Sequence, residues 1–437
     1  MSVLARTMLW RWQQGSFKTF VLLLSLSVFL PPNAVRAEEA KDDADLRLSV
    51  PYGFYNENFG VALAWVEGRI GFPQPQASIL GSAMAGSGGS AMVFLMGKDI
   101  RTPFLDRLFI DPILSFGYFD EIDGFIDGNP KFTDERAGTN DSNENNFVTG
   151  SGFDNFARVR MKYLLPIGHG RGQIIPDYEV ADGFLASGAT GGTSLNPFAS
   201  GRSFIELRPF YRSQEIDGND VDGKLQTNGI DFTFFWDNRD FPINPSRGNA
   251  LTIKLSRDFG LLDSTDSWTV LQGELDAYYD FGESDWFRSS VLAFDFWTAD
   301  TPSWDDDGDN IKHRAPAYMG ATLGGVWRMR GYPTQRFNDR SAIYYSAEMR
   351  FTPRWNPFDA WPGVQKYLGV EWIQFVPFVE VGRVAGEYDL GELHSDMKWD
   401  AGLGLRAWMK GFVVRADTAF SDEGFGVQMM IGHPFQF

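Results

Sequence analysis

Two short segments of the chain concentrate groups that could do chemistry. Arg330-Gly331-Tyr332 follows Leu323-Gly324-Gly325-Val326-Trp327-Arg328-Met329 at the tip of a long loop. Further on comes Phe378-Val379-Glu380-Val381-Gly382. In an extended chain Phe378, Glu380 and Gly382 share one face, and Val379 and Val381 share the other. A guanidinium and a carboxylate can pair in bidentate fashion, and a strand glycine leaves space for another backbone to approach. More charges recur late in the chain within alternating segments: Glu348, Arg350, Asp400, Arg406, Arg415 and Asp417. The chemistry on offer is ion pairing rather than bond making.

Covalent and metal chemistry find little support. The histidines are His169, His313, His394 and His433, and there is no cysteine. No histidine pair has zinc-like spacing and no Gly-x-Ser-x-Gly elbow occurs. His433 falls on an outward-looking strand face, with no serine partner evident for a hydrolase. The run Asp305-Asp306-Asp307-Gly308-Asp309-Asn310 does not match the calcium loop whose glycine stands sixth, and reads as a solvated acidic loop. No catalytic residue, metal or cofactor is therefore expected, and no enzyme activity. The net charge of −18 repels phosphate backbones, which excludes nucleic acid as a partner.

The elements that must position these residues begin after a targeting segment. Arg6, Arg11 and Lys18 precede the apolar run 19–30, which is shorter than the ~20 residues that span a bilayer. Pro31-Pro32 and Ala34-Val35-Arg36-Ala37 follow, as in a secretory signal peptide cut after Ala37. Cleavage would leave 437 − 37 = 400 residues with net charge −18 − 4 = −22. Without cysteine, a lipid-anchored cysteine and disulfide staples are excluded. No later stretch approaches 18 consecutive apolar residues, so a membrane crossing would have to be a closed barrel. The 39 Phe, 14 Tyr and 14 Trp suit a lipid-facing surface with aromatic girdles, and the 47 Gly suit many turns.

Period-two alternation is the recurring pattern. In 397–408, Trp399, Ala401, Leu403, Leu405 and Ala407 oppose Asp400, Gly402, Gly404 and Arg406. In 343–351, Ile343, Tyr345, Ala347, Met349 and Phe351 oppose Tyr344, Ser346, Glu348 and Arg350. Sixteen such segments are expected: 46–56, 59–71, 76–87, 90–100, 106–120, 152–165, 202–214, 225–238, 248–260, 267–282, 285–299, 341–353, 371–384, 397–409, 412–421 and 425–437. With a periplasmic N-terminus, loops 121–151 and 300–340 face outward. The stretch 166–201 becomes a long periplasmic or luminal connection.

On these segments the Arg330 loop, with the strand Ser341 to Phe351 after it, resembles the luminal loop of the BamA/TamA family (bacterial surface antigen superfamily). These outer-membrane β-barrels insert or translocate other proteins. Four further features carry the resemblance. Trp236-Asp237-Asn238-Arg239-Asp240-Phe241-Pro242-Ile243-Asn244-Pro245-Ser246-Arg247-Gly248 is similar to the family's Asp-rich turn. Phe378-Val379-Glu380-Val381-Gly382 is similar to its Phe-x-Asp-x-Gly strand, with Glu in place of Asp. Gly402-Leu403-Gly404-Leu405-Arg406 resembles the Gly-rich penultimate hairpin, and the end at Phe435-Gln436-Phe437 resembles the β-signal read by the outer-membrane assembly machinery. The specific motifs cover about residues 225–437.

The resemblance implies an all-β, antiparallel transmembrane barrel of sixteen strands with the long loop between strands 11 and 12 folded inward. It implies that Arg330, Gly331 and Tyr332 form the loop tip, that Arg330 docks on Glu380 flanked by Phe378 and Gly382, and that Glu348, Arg350, Asp400, Arg406, Arg415 and Asp417 form a network around it. The expected organisation is signal peptide 1–37, a short periplasmic segment 38–45 and the barrel 46–437, a short member without the family's POTRA domains. Localisation to the bacterial outer membrane follows, with its lipids and lipopolysaccharide as surroundings. Unfolded protein clients or a periplasmic accessory protein are the implied partners. Pro51, Gly432 and Pro434 weaken the two strands that must close the barrel, which suggests a seam able to open. The implied role is outer-membrane protein insertion or transport through the barrel or its seam. The competing classes are a porin-like passive channel and a surface-exposed structural or adhesive barrel.

Overall fold

The structure, a computed structural model, describes residues 46–56, 58–125, 129–218, 221–306 and 311–433. They form one antiparallel meander of sixteen strands. The first eight are β1 (Leu46–Asn56), β2 (Gly60–Ile70), β3 (Ser78–Gly86), β4 (Ala91–Lys98), β5 (Leu108–Gly124), β6 (Val148–Leu164), β7 (Arg202–Gly218) and β8 (Val221–Asp237). The second eight are β9 (Gly248–Phe259), β10 (Ser267–Asp280), β11 (Phe287–Asp300), β12 (Ser341–Pro353), β13 (Val370–Ala385), β14 (Lys398–Met409), β15 (Phe412–Ser421) and β16 (Phe425–Ile431). Each pairs with its neighbours in sequence. Beyond Asp99 at φ 56°, β4 resumes as Ile100–Arg101 against Ile110 and Phe109.

The alternation in the sequence becomes two surfaces. On β2, Val61, Leu63 and Trp65 are exposed while Ala62, Ala64 and Val66 are buried. The same division places Phe232, Ile253, Leu275, Phe375, Val379 and Leu403 outside. So much contiguous apolar surface is unfit for water and is what hydrocarbon requires of a spanning barrel. Among the described residues no helix is long and apolar enough to cross a membrane; the crossing is made by strands.

Strands β5 to β8 have 17 residues each, longer than the roughly 9–11 that cross a bilayer. Alternation in the sequence ends β5 at 120 and starts β6 at 152 and β8 at 225. The strands run further because, past a bulge at Asp120 and Glu121, polar residues such as Asp123 and Asp217 continue the ladder without an apolar face. The expected signal peptide, the segment 38–45, and Pro434, Phe435 and Phe437 lie outside the described residues.

Closure is incomplete. β1 pairs with β2, β16 pairs with β15, and among the described residues no ladder joins β1 to β16. Side chains bridge the gap instead: Ile431 and Phe412 pack against Leu48, Val66 and Leu80. Pro51 sits in mid-strand opposite Trp65, not at a frayed end. A strand proline turns its missing N–H toward the unpaired side, which for β1 is the seam.

Both mouths of the barrel are covered. Residues 317–339 of the β11–β12 loop fold into the lumen and residues 129–147 of the β5–β6 loop lie over them: Asn338 N–H donates to Gly138 O at 2.7 Å and Arg136 pairs with Asp339 at 2.6 Å. At the opposite rim the β6–β7 connection, 165–201, is pinned by Asn238, whose amide bonds Gly192 O, Gly192 N–H and Ser200 Oγ. Tyr178, Phe184 and Leu185 of that connection pack with Phe241 on Trp372 and Trp408. Placing a cation on the outer surface tests the membrane-facing assignment. Ile253→Arg, at a half-exposed mid-strand position, should lower barrel stability in lipid vesicles by about 2–4 kcal/mol in urea unfolding; an unchanged midpoint would mean that this face does not meet hydrocarbon.

Candidate functional site

The inner face of β12 to β15 carries the charges that alternation put there, and the 301–340 loop brings Arg330 to them. Inside the loop, Ala321–Leu323 and Phe337–Asp339 form a small hairpin. Gly324 and Gly325 turn the chain at φ 106° and 101°, where a Cβ on Gly324 would lie 2.2 Å from Pro333 O. Met329 holds a left-handed φ of 58° immediately before Arg330. Leu323, Met329, Tyr332 and Phe337 pack with Trp297, Tyr344 and Val384 of the wall. An apolar plug thus anchors the loop and aims Arg330 into the wall.

Arg330 is fully buried. Its Nη1 donates to Glu348 Oε1 at 3.0 Å and to Asp417 Oδ2 at 2.8 Å. Its guanidinium carbon stands 3.5 Å from the Phe378 ring centroid. Glu380 is used differently from the bidentate fork that the residue types suggest. Its Oε2 accepts the Arg330 backbone N–H at 2.7 Å and lies 3.2 Å from Nε without the alignment of a hydrogen bond. Its Oε1 accepts the Tyr344 hydroxyl. The loop backbone passes so close to the wall that its N–H reaches the carboxylate first. Gly382 permits that approach, since a Cβ there would meet Leu323 Cδ1 at 2.8 Å. Gly331 permits it too: a Cβ would meet Asp400 Cβ at 2.7 Å.

The remaining charges close around this contact. Glu348 is ringed by three arginines: Arg330, Arg406 at 2.7 Å and Arg350, which donates through Nε at 3.1 Å and Nη2 at 2.9 Å. Asp417 accepts Arg415 at 2.9 Å as well as Arg330. Asp400 accepts the Gly331 N–H at 3.0 Å. Four arginines and two loop N–H groups face Glu348, Glu380, Asp400 and Asp417, so each buried carboxyl group has a partner, as burial demands. Burial opposes the charge of Arg330, and Glu380, Asp417 and Glu348 more than restore it, so its proton is held well above the ordinary arginine range. Tyr332 donates to Asp422 Oδ1 at 2.6 Å and Trp399 O at 3.1 Å; burial and that carboxylate raise its pKa.

Some partners had no separate signal in the sequence. Tyr344 lay on the polar face with Ser346, Glu348 and Arg350, and an aromatic there was the available hint. Arg336 is fully buried, forks onto Glu423 at 2.6 and 2.7 Å and donates to Ser142 O at 2.6 Å, locking the 125–147 loop to the inner one. Contacts between residues so far apart in the chain carry no local pattern. His433 corrects the outward placement. It is buried with Nδ1 2.9 Å from Arg406 Nη1, because Gly432 at φ 104° breaks the alternation and turns the next side chain inward. Of the seam residues, Pro51 and Gly432 stand on either side of the unpaired gap between β1 and β16.

Comparisons with known proteins agree with this architecture. A model of the Omp85 superfamily domain matches residues 193–435, more than half of the chain. Similar solved structures include CdiB from Escherichia coli, at 10% identity and TM-score 0.52, covering 89% of this chain and 61% of that one. Another is BamA from Haemophilus ducreyi lacking POTRA domains 1–3, at 11% identity and TM-score 0.46, covering 89% of this chain and 69% of that one. No curated protein matches the sequence.

Removing the arginine tests the anchor. Arg330→Ala leaves Glu348 and Asp417 buried with one cation fewer each, at a cost of about 3–5 kcal/mol. Residues 301–340 should become cleavable by added protease in detergent. Arg330→Lys should fall between, since one ammonium cannot reproduce the fork and the stacking on Phe378. Wild-type protection in the alanine variant would show that the apolar plug alone holds the loop.

Proposed function

The chain belongs to the Omp85 superfamily, and from that premise we propose that it inserts or translocates protein clients at the bacterial outer membrane, with the β1–β16 seam as the working element. Omp85 barrels are outer-membrane proteins, and the apolar belt suits that setting. We place the loop rim outside the cell, the rim crossed by residues 165–201 in the periplasm, and a cleaved signal peptide at 1–37. Lipids and lipopolysaccharide then surround the barrel, and a periplasmic accessory protein is a further partner.

The observation that carries the proposal is that no β1–β16 ladder forms among the described residues. An edge strand offers unpaired N–H and C=O groups, a ready template for an incoming strand. Within lipid such groups must find partners, so a client strand entering the seam would be stabilised by backbone pairing without regard to its sequence. The lumen beside the seam suits the same task. The inner faces of β1 to β4 present Leu48, Val50, Val66, Leu80, Phe94 and Met96, and among the described residues no ion-pair network of the kind that lines β12 to β15. An apolar wall next to an unpaired edge can hold one face of an amphipathic strand. The other half of the lumen, filled by the anchored loop, supplies a rigid frame. No covalent chemistry is assigned to the barrel.

A quantitative outer-membrane proteome from a strain lacking this protein should show depletion of a small set of barrel or surface proteins. An unchanged proteome would remove the insertion role. Complementation with cysteines placed on β1 and β16 should restore the set under reducing conditions and fail once a disulfide bridges them. Full complementation by the bridged protein would mean that the seam does not work by opening.

A further inference from the structure

Beside the Arg330 network, the inner wall carries a second acidic group, which the loop reaches through Arg328 at Glu274. Register places Asp276 of β10 directly across from Asp295 of β11, and Asp295 directly across from Ser346 of β12. Directly opposed residues share a face, with Cβ atoms about 5 Å apart. Glu274 lies two residues along β10 on the same face, and one oxygen from each of Glu274, Asp276 and Asp295 lies within 4.8 Å of the others. Asp276 is 6% exposed and Asp295 1%. Asp276 Oδ1, Asp295 Oδ1 and Glu274 Oε1 are buried with no hydrogen-bond partner.

The nearby cations have other partners as well. Arg239 forks onto Asp237 at 2.8 and 2.9 Å, and Arg350 forks onto Glu348. Arg328 reaches Glu274 at 3.2 Å while lying over Trp297, and Lys254 of β9 faces the Glu274 side. Asp276 and Asp295 are left face to face. Two carboxylates so placed need either a shared proton or a cation between them. An independent feature points to the cation. Ser346 is 2% exposed and its Oγ has no hydrogen-bond partner, although it stands next to Asp295 in the ladder with a neutral oxygen to offer.

We propose that Glu274, Asp276, Asp295 and the Ser346 hydroxyl form a luminal site for a divalent cation, with calcium as the best fit. All donors are oxygens, which suits a hard cation, and calcium accepts the irregular set that three strands provide better than magnesium, which demands near-octahedral geometry. The ion would bridge β10, β11 and β12. That is the wall from which the 301–340 loop departs and to which it returns, so occupancy would stiffen the base of the loop. This departs from the expectation of no metal site, which rests on the histidine spacing, the lack of cysteine and the acidic run at 305–310.

Trp297 is the cross-strand partner of Glu274 and can sensitise terbium bound in place of calcium. Purified protein in detergent, stripped with chelator, should show saturable terbium luminescence on tryptophan excitation, displaced by calcium, and its thermal unfolding should shift upward with calcium. D276N/D295N should lose both responses while D305N/D306N/D307N keeps them. Loss only in the 305–307 variant would assign the ion to the exposed loop and overturn the proposal. Absence of a terbium signal and of a calcium shift in the wild-type protein would overturn it in favour of a proton shared by the two aspartates, whether or not D276N/D295N folds.

Discussion

One buried carboxylate holds the luminal architecture together. Glu348 is inaccessible to solvent and accepts from arginines on three different parts of the chain: Arg330 of the inner loop, Arg350 of its own strand and Arg406 of β14. A carboxylate taken out of water is costly unless its lone pairs are filled. Here they are filled only when the loop is home and the β12–β14 wall is formed. The same condition applies to Glu380, Asp400 and Asp417, which accept the Arg330 N–H, the Gly331 N–H and the Arg330 guanidinium. Loop position and wall geometry are therefore coupled. The loop cannot leave without exposing an unbalanced set of charges, and the wall cannot rearrange without losing the loop.

The opposite side of the lumen is built on another principle. β1 to β4 carry an apolar inner face, and among the described residues β1 has no ladder to β16. Rigidity is concentrated where charges cross-link strands and the loop, and pairing is absent where two edges meet. A barrel made this way has one place at which it can open at low cost. The hydrogen bonds at stake there are absent among the described residues, whereas parting β12 from β13 would break the ladder from Ser341 to Glu348 and the ion network with it.

Much of this was legible in the sequence because a barrel strand encodes its two environments at period two. Val379 and Val381 fixed the inward direction of Glu380, and Trp399, Leu403 and Leu405 did the same for Asp400 and Arg406. Sixteen strands follow from the same pattern, with ends misplaced in β5, β6, β7 and β8, where polar residues extend the ladder without alternation. The rest depended on contacts between distant segments. Nothing near Arg336 signals Glu423 or Ser142, and nothing near Asn238 signals the 165–201 connection that it pins. Glu380 was found, but its use was not: whether a carboxylate meets a guanidinium or a backbone N–H is set by how closely the loop passes, which Gly331 and Gly382 decide in three dimensions. His433 was misread because one positive-φ glycine reversed the count.

A loop anchored by Arg330 inside a barrel covered at both mouths should block ions. Conductance across a planar lipid bilayer compares this most directly for the wild-type protein and Arg330→Ser. The wild type is expected to stay closed, with at most brief openings, and the variant to conduct steadily once the loop is released. A steady pore in the wild type, or a variant as silent as the wild type, would contradict the central role given to the arginine.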